Sequence, residues 1–172
     1  AWMAKYRISE LTADRTEALR ALKHDKSEKA YAFFKEGLND PFWAGRSISL
    51  SYVNEYLAQN QDSSVKSAIY AIAANEEDNK VRSDAIECIR VHFQGESAVP
   101  LYQKGINDSS YSVIATSFEA LYDYDKKEGM KVAEKLEKDG DKELILSLAA
   151  LYSQEADEAK NQFFINSFDR VG

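Results

Sequence analysis

"EGLNDP" occupies residues 36–41 and "KGINDS" occupies residues 104–109 of a chain of 172 residues. Nearly the same phrase is thus spelled twice, 68 positions apart. The first follows "EKAYAFFKEG", whose Ala30, Phe33 and Phe34 share one face at helical spacing. Gly37 is expected to take the left-handed conformation that closes a helix, with Leu38 folded back on Phe33. Asp40 is then expected to cap the next helix, with Pro41 at its first position, where a missing N–H costs nothing. Gly105, Ile106 and Asp108 repeat the device, Ile106 packing on Leu101. The phrase reads as a turn between two antiparallel helices.

The helices that follow such turns recur as well. Aligning "DRTEALRAL", "DPFWAGRSISLSYV", "DNKVRSDAIECI", "DSSYSVIATSFEAL" and "DGDKELILSLAALY" puts Arg15, Arg46, Arg82, Ile114 and Ile145 in one column. Three positions on stand Ala18, Ser49, Ala85, Ser117 and Leu148, mostly small; seven on stand Leu22, Val53, Ile89, Leu121 and Tyr152. Partner helices are expected near residues 26–36, 64–74, 97–104, 126–137 and 156–168, with Pro100 harmless in a first turn. The spacings are 31, 36, 32 and 31, and the long one is assigned to a polar loop, "NEEDN", at 75–79. A two-helix unit of this period implies an α-solenoid, in which no unit buries its apolar face alone.

A capping Asp six residues before an Arg, as in Asp40 and Arg46, resembles the HEAT repeat, in which Asp and Arg of neighbouring units form a ladder. Arg15, Arg46 and Arg82 fit that ladder; Ile114 and Ile145 do not, so apolar packing must hold the second half. The expected fold class is therefore all-α: an α-solenoid of HEAT-like antiparallel helix pairs, an α-α superhelix of about nine or ten helices without a sheet. It is expected to form a single helical-repeat domain over residues 1–172.

Composition agrees with a helical reading. Two prolines and seven glycines are few for a turn-rich β fold. No apolar run approaches the roughly 20 residues that span a bilayer, so no membrane partner is expected. "AWMAKYRISE" lacks the apolar core of a secretory signal. A net charge of −7 repels phosphate backbones, so no nucleic acid partner is expected either. Cys88 is the sole cysteine, compatible with cytoplasm or periplasm, and in "DAIECIR" it reads as a small buried helix residue.

Chemistry is harder to find. His24 lies in the polar "LKHDKSE" and His92 near a helix end in "RVHFQG"; neither belongs to H-E-x-x-H or has a ligand at metal spacing. No G-x-S-x-G and no glycine-rich phosphate loop is present. The acids of "NEEDN" and "QEADEAK" read as solvated faces. Phe42 or Trp43 is expected to staple the start of its helix into the stack. No catalytic, cofactor-binding or metal-ligating residue is assigned.

One resemblance goes further. "DRTEALRAL", "LNDPFWAGRSISL" and "NDSSYSVIATSFEALYDYD" resemble the C-terminal helical region of gluzincin zinc aminopeptidases of the aminopeptidase N type, bacterial members above all. That family carries a D-R-x-x-A helix, then a D-P-F-W-x-x-R helix, then a D-x-S/P-Y-x-V helix. The matching residues are Asp14, Arg15 and Ala18, then Asp40–Trp43 with Arg46, then Asp108, Tyr111 and Val113. Gly45 departs from it, standing where the family usually has a branched apolar residue. The resemblance implies an accessory tail without catalytic residues, excised from a longer metallopeptidase. Zinc, its ligands and the G-x-M-E-N motif would belong to an upstream catalytic domain of the same polypeptide, which would be the tail's partner. Phe163, Phe164 and Phe168 in "NQFFINSFDRVG" do not make the polar outer face of a terminal repeat, so a truncated array is expected to self-associate. Without the resemblance, the same repeats read as a HEAT-like protein-interaction scaffold with no associated enzyme.

Overall fold

A computed structural model describes residues 1–138, 141–155 and 158–171. Eleven α-helices and no strand lie among the described residues. The chain divides into two compact units, residues 1–93 and 94–172.

The first unit holds α1 (Trp2–Ile8), α2 (Thr12–Leu22), α3 (Glu28–Gly37), α4 (Trp43–Leu57), α5 (Lys66–Asn75) and α6 (Asn79–His92). Short connections turn the chain back on itself, so α1 lies against α2, α3 against α4 and α5 against α6, while α4 also touches α2 and α6. Local chemistry sets the helix starts. Ser27 accepts the Ala30 N–H to cap α3, and Asp78 accepts the Val81 N–H to cap α6. The core is aromatic around α3: Phe34 stacks on Tyr52 at 3.8 Å and Tyr31 on Tyr56 at 3.6 Å, while Tyr6 meets Phe33 edge-on. Burial of each such ring contributes roughly 1.5–3 kcal/mol.

The second unit holds α7 (Val99–Gly105), α8 (Tyr111–Tyr124), α9 (Lys126–Leu136), α10 (Lys142–Glu155) and α11 (Asn161–Val171). Pro100 sits in the first turn of α7, as its missing N–H allows. Asp125 caps α9 through the Glu128 N–H. Helix α8 packs on α7, α9 and α10, and α10 on α11. Phe118, Leu144, Leu148 and Tyr152 form the core, and Phe163 of α11 meets Tyr152 edge-on at 5.2 Å.

The aligned columns are buried where the pattern requires. Ala18, Ser49, Ala85, Ser117 and Leu148 are wholly inaccessible. Val53, Ile89, Leu121 and Tyr152 are buried too, while Leu22 is half-buried. Gly37 supplies the reason for small residues: a Cβ there would lie 2.1 Å from Ser49 Oγ, so α3 and α4 touch backbone to side chain. Gly129 does the same for α9, where a Cβ would meet the Tyr122 backbone of α8 at 2.3 Å.

Several expectations change. Helix α1 was not foreseen; its only buried residue is Tyr6, too little for a periodic signal. The "NEEDN" segment is not a long loop, because α5 runs to Asn75 and α6 starts at Asn79. The longer spacing instead comes from the longer α4 and the 3-10 turn Ser63–Val65 that precedes α5. Phe163 is buried within its own unit and Phe164 partly so; the side chain of Phe168 and the first two residues of the aligned segment "DGDKELILSLAALY" lie outside the described residues.

Candidate functional site

The two quoted phrases fold alike, though not as expected. Gly37 and Gly105 are the last helical residues of α3 and α7, and Leu38 and Ile106 follow in right-handed helical conformation at φ −61° and −60°. The turn then tightens: Asn39 N–H donates to Glu36 O and Asp40 N–H to Gly37 O, as Asn107 does to Lys104 O and Asp108 to Gly105 O, each at 3.1 Å. Asp40 Oδ1 next accepts the Phe42 N–H at 2.8 Å, and Asp108 Oδ1 the Ser110 N–H at 2.9 Å. Each aspartate thus closes a turn onto the residue two further on, and the caps are Phe42 and Ser110. Pro41 precedes the cap and does not begin the helix.

The same closure onto the residue two further on also precedes α2 and α6 in the first unit, under different spellings. Ser9 Oγ accepts the Leu11 N–H at 3.1 Å, and Glu76 Oε1 accepts the Asp78 N–H at 3.2 Å. Ser9, Asp40 and Glu76 each stand six residues before an arginine. Each arginine reaches back: Arg15 Nη1 to Ser9 O at 3.3 Å, Arg46 Nη1 to Asp40 O at 2.7 Å, and Arg82 Nη1 to Glu76 O at 2.5 Å.

Arg15 and Arg46 also reach forward to the next turn residue. Arg15 meets Asp40 through Nε to Oδ2 at 3.0 Å and Nη2 to Oδ1 at 3.3 Å. Arg46 meets Glu76 through Nε to Oε2 at 2.5 Å and Nη2 to Oε1 at 2.8 Å. The planar guanidinium suits this fork, and a lysine could not make it. Both carboxylates are enclosed, each side chain being only 1% exposed. Burial pushes the Asp40 carboxyl up, but Arg15, the Phe42 N–H and the Tyr6 hydroxyl together hold it below the ordinary range. The Arg46 guanidinium holds Glu76 down against burial. Both are charged, paired acids, suited to joining helices and not to proton transfer.

Gly45 belongs to the same construction. A Cβ at that position would lie 2.5 Å from Asp40 Cγ and 2.7 Å from Asp40 Cβ, so the side chain of the turn occupies the space a branched residue would need.

The reactive side chains are dispersed. Cys88 is buried in α6, and burial pushes its thiol up to about 12. His92 Nε2 lies 2.9 Å from Asn54 Oδ1 in the last turn of α6, and burial pushes its imidazole down. His24 is exposed in the turn after α2. Trp43 is 45% exposed and Phe42 half-buried, their rings 5.5 Å apart, so the aromatic pair is only partly enclosed. Among the described residues no group of three or more His, Cys, Asp or Glu could hold a metal ion. No described helix is long and apolar enough to cross a membrane.

Ser9 and Glu76 do not stand out in the sequence as turn residues, because neither is an aspartate at a helix start. The available signal was the six-residue interval before each arginine. No family model matches the chain, and no curated protein matches it.

Proposed function

We propose that this chain is a HEAT-like helical-repeat segment that serves as the accessory C-terminal region of a zinc aminopeptidase, packing on the catalytic domain and narrowing its entrance. The observation carrying this reading is the coincidence of two sets of residues. Arg15, Asp40 and Arg46, which support the resemblance to that enzyme family, are the residues that tie successive turns of the first unit together. A helical array tied in this way is a shape-holding element, and its paired acids leave no general acid or base in the ladder. The zinc would reside upstream, with the H-E-x-x-H motif that this chain lacks.

The test starts with the reading frame upstream of residue 1. H-E-x-x-H followed by a distant Glu is expected; its absence would leave a protein-interaction scaffold with no associated enzyme. In the longer protein, removal of residues 1–172 is then expected to reduce the preference for short over long peptides. A soluble truncated enzyme with unchanged preference would overturn the access role. Sedimentation of the isolated chain tests self-association, for which exposed Ile165 on α11 remains a candidate contact.

A further inference from the structure

Arginines of the first unit are nearly all engaged. Arg7 bonds Glu36, Arg15 bonds Asp40, Arg46 bonds Glu76, Arg82 bonds the Glu76 carbonyl and Arg90 bonds Glu87. Arg20 is the exception: it has no partner among the described residues, and nearby Lys23 makes no hydrogen bond or close ion pair among them. In a chain with 29 acids against 22 bases, such side chains ordinarily find a carboxylate.

Both line a cavity of about 420 Å³ on the face shared by α2 and α4. Its other walls are complementary to an amphiphilic anion. Ile48 supplies apolar surface, with only an edge of the buried Tyr52 beside it, and Ser47 and Ser51, one helical turn apart on α4, supply hydroxyls with no partner among the described residues. His24 adds a further donor at the rim. The one acid there, Glu55, is already bonded by Lys26 at 2.8 Å, and Lys26 also lies over the Tyr52 ring at 5.3 Å. Lys26, helped by His24 and Lys23, keeps the Glu55 carboxyl below its ordinary range. With Arg20 and Lys23 facing a single acid that Lys26 already bonds, the concavity keeps an excess of positive charge. The volume far exceeds that of one water, about 30 Å³, and falls in the range of pockets for small organic ligands.

We propose that this pocket binds an organic anion, a carboxylate or phosphate group carried on an apolar body, with Arg20 and Lys23 holding the charged end and the apolar body lying along Ile48. The proposal is independent of any catalytic domain.

Calorimetric titration of the full chain at low salt with N-acetylphenylalanine, phenyl phosphate and neutral N-acetylphenylalanine amide tests it. At least one of the two anions is expected to bind and the amide is not; binding by one anion alone assigns the headgroup. Arg20→Gln with Lys23→Gln, both exposed, is expected to weaken binding about tenfold or more with an unchanged circular dichroism spectrum. Lys29→Gln, exposed on α3 away from the pocket, is expected to change nothing. Failure of both anions to bind, equal binding of the amide, or wild-type affinity in the double variant would overturn the proposal. Equal weakening by Lys29→Gln would do so too, since diffuse charge attraction would then explain the binding.

Discussion

Arg46 holds Glu76 by two N–H···O bonds, at 2.5 and 2.8 Å, while its remaining nitrogen bonds the Asp40 carbonyl at 2.7 Å. One guanidinium thus joins the turn that precedes its own helix to the turn that precedes α6. Glu76 is almost wholly enclosed, so it cannot turn to water if the arginine is removed. Arg46→Ala is expected to destabilise the chain by about 2–4 kcal/mol, somewhat below a fully buried pair because Arg46 is partly exposed. Arg46→Lys should recover part of the charge term and none of the fork. Urea melts of the two variants decide it; a loss under about half a kcal/mol for Arg46→Ala would show that the pair is not structural.

Gly45→Val restores the branched residue usual in the resembled family and should nonetheless destabilise. The new Cβ would fall 2.5 Å from Asp40 Cγ, and Asp40 is held by Arg15 and the Phe42 N–H and cannot swing away. Overpacking of this kind costs about 1–3 kcal/mol, more than the roughly half a kcal/mol that β-branched valine gains over glycine in a helix. A variant as stable as wild type in the same melt would contradict the close approach.

Ser49 and Ser117 make the opposite case. Their hydroxyls are buried without a hydrogen-bond partner among the described residues, in the column that also holds Ala18, Ala85 and Leu148. Ser49→Ala and Ser117→Ala should each be neutral or stabilising, by up to about 1 kcal/mol, because an unsatisfied group is removed and no larger atom enters. A loss above about 1 kcal/mol would reveal a bond that the hydroxyl makes.

Leu121, 2% exposed, belongs to the large-residue column in the second unit. Leu121→Ala should cost roughly 2–5 kcal/mol as a core truncation. A negligible loss by denaturant melt would mean the repeat register is wrong there.

Acid should unfold the protein in a defined order. Asp40, Glu76 and Asp62 all have carboxyls held below the ordinary range, Asp62 chiefly by Ser64, with Tyr31 and Lys35 adding to it. Depressed acids contribute stability above the unfolded value near 4, and that stability is lost as pH falls through the folded values. His92 is also pushed down, so the unfolded chain takes up its proton first and a smaller loss begins near pH 6.5. The melting temperature is therefore expected to decline gently below about pH 6.5 and steeply below about pH 4. A flat profile to pH 2 would exclude the carboxylates as contributors.

What the residues alone determined was everything that depends on near neighbours along the chain. The apolar spacing of "EKAYAFFKEG" placed α3, Asp78 capped α6, and the small and large columns were placed from five aligned segments. The recurrence of "GLND" and "GIND" foretold a recurring turn, and atom by atom the two turns agree. Tertiary structure decided the rest. It made Gly37 and Gly45 sites of close approach, where a left-handed cap was expected at Gly37 and Gly45 had only been noted as a departure from the resembled family. It gave Arg46 to Glu76 and left Asp78 as a cap, and it put Ser9 in a position that an aspartate fills one turn later. It also gathered Arg20 and Lys23 of one helix end with Ser47 and Ser51 of another. Capping and amphipathic spacing act within about four residues and so are written locally. The partner of a guanidinium 25 or 30 residues away depends on the phase and separation of packed helices, which exist only once the chain has folded.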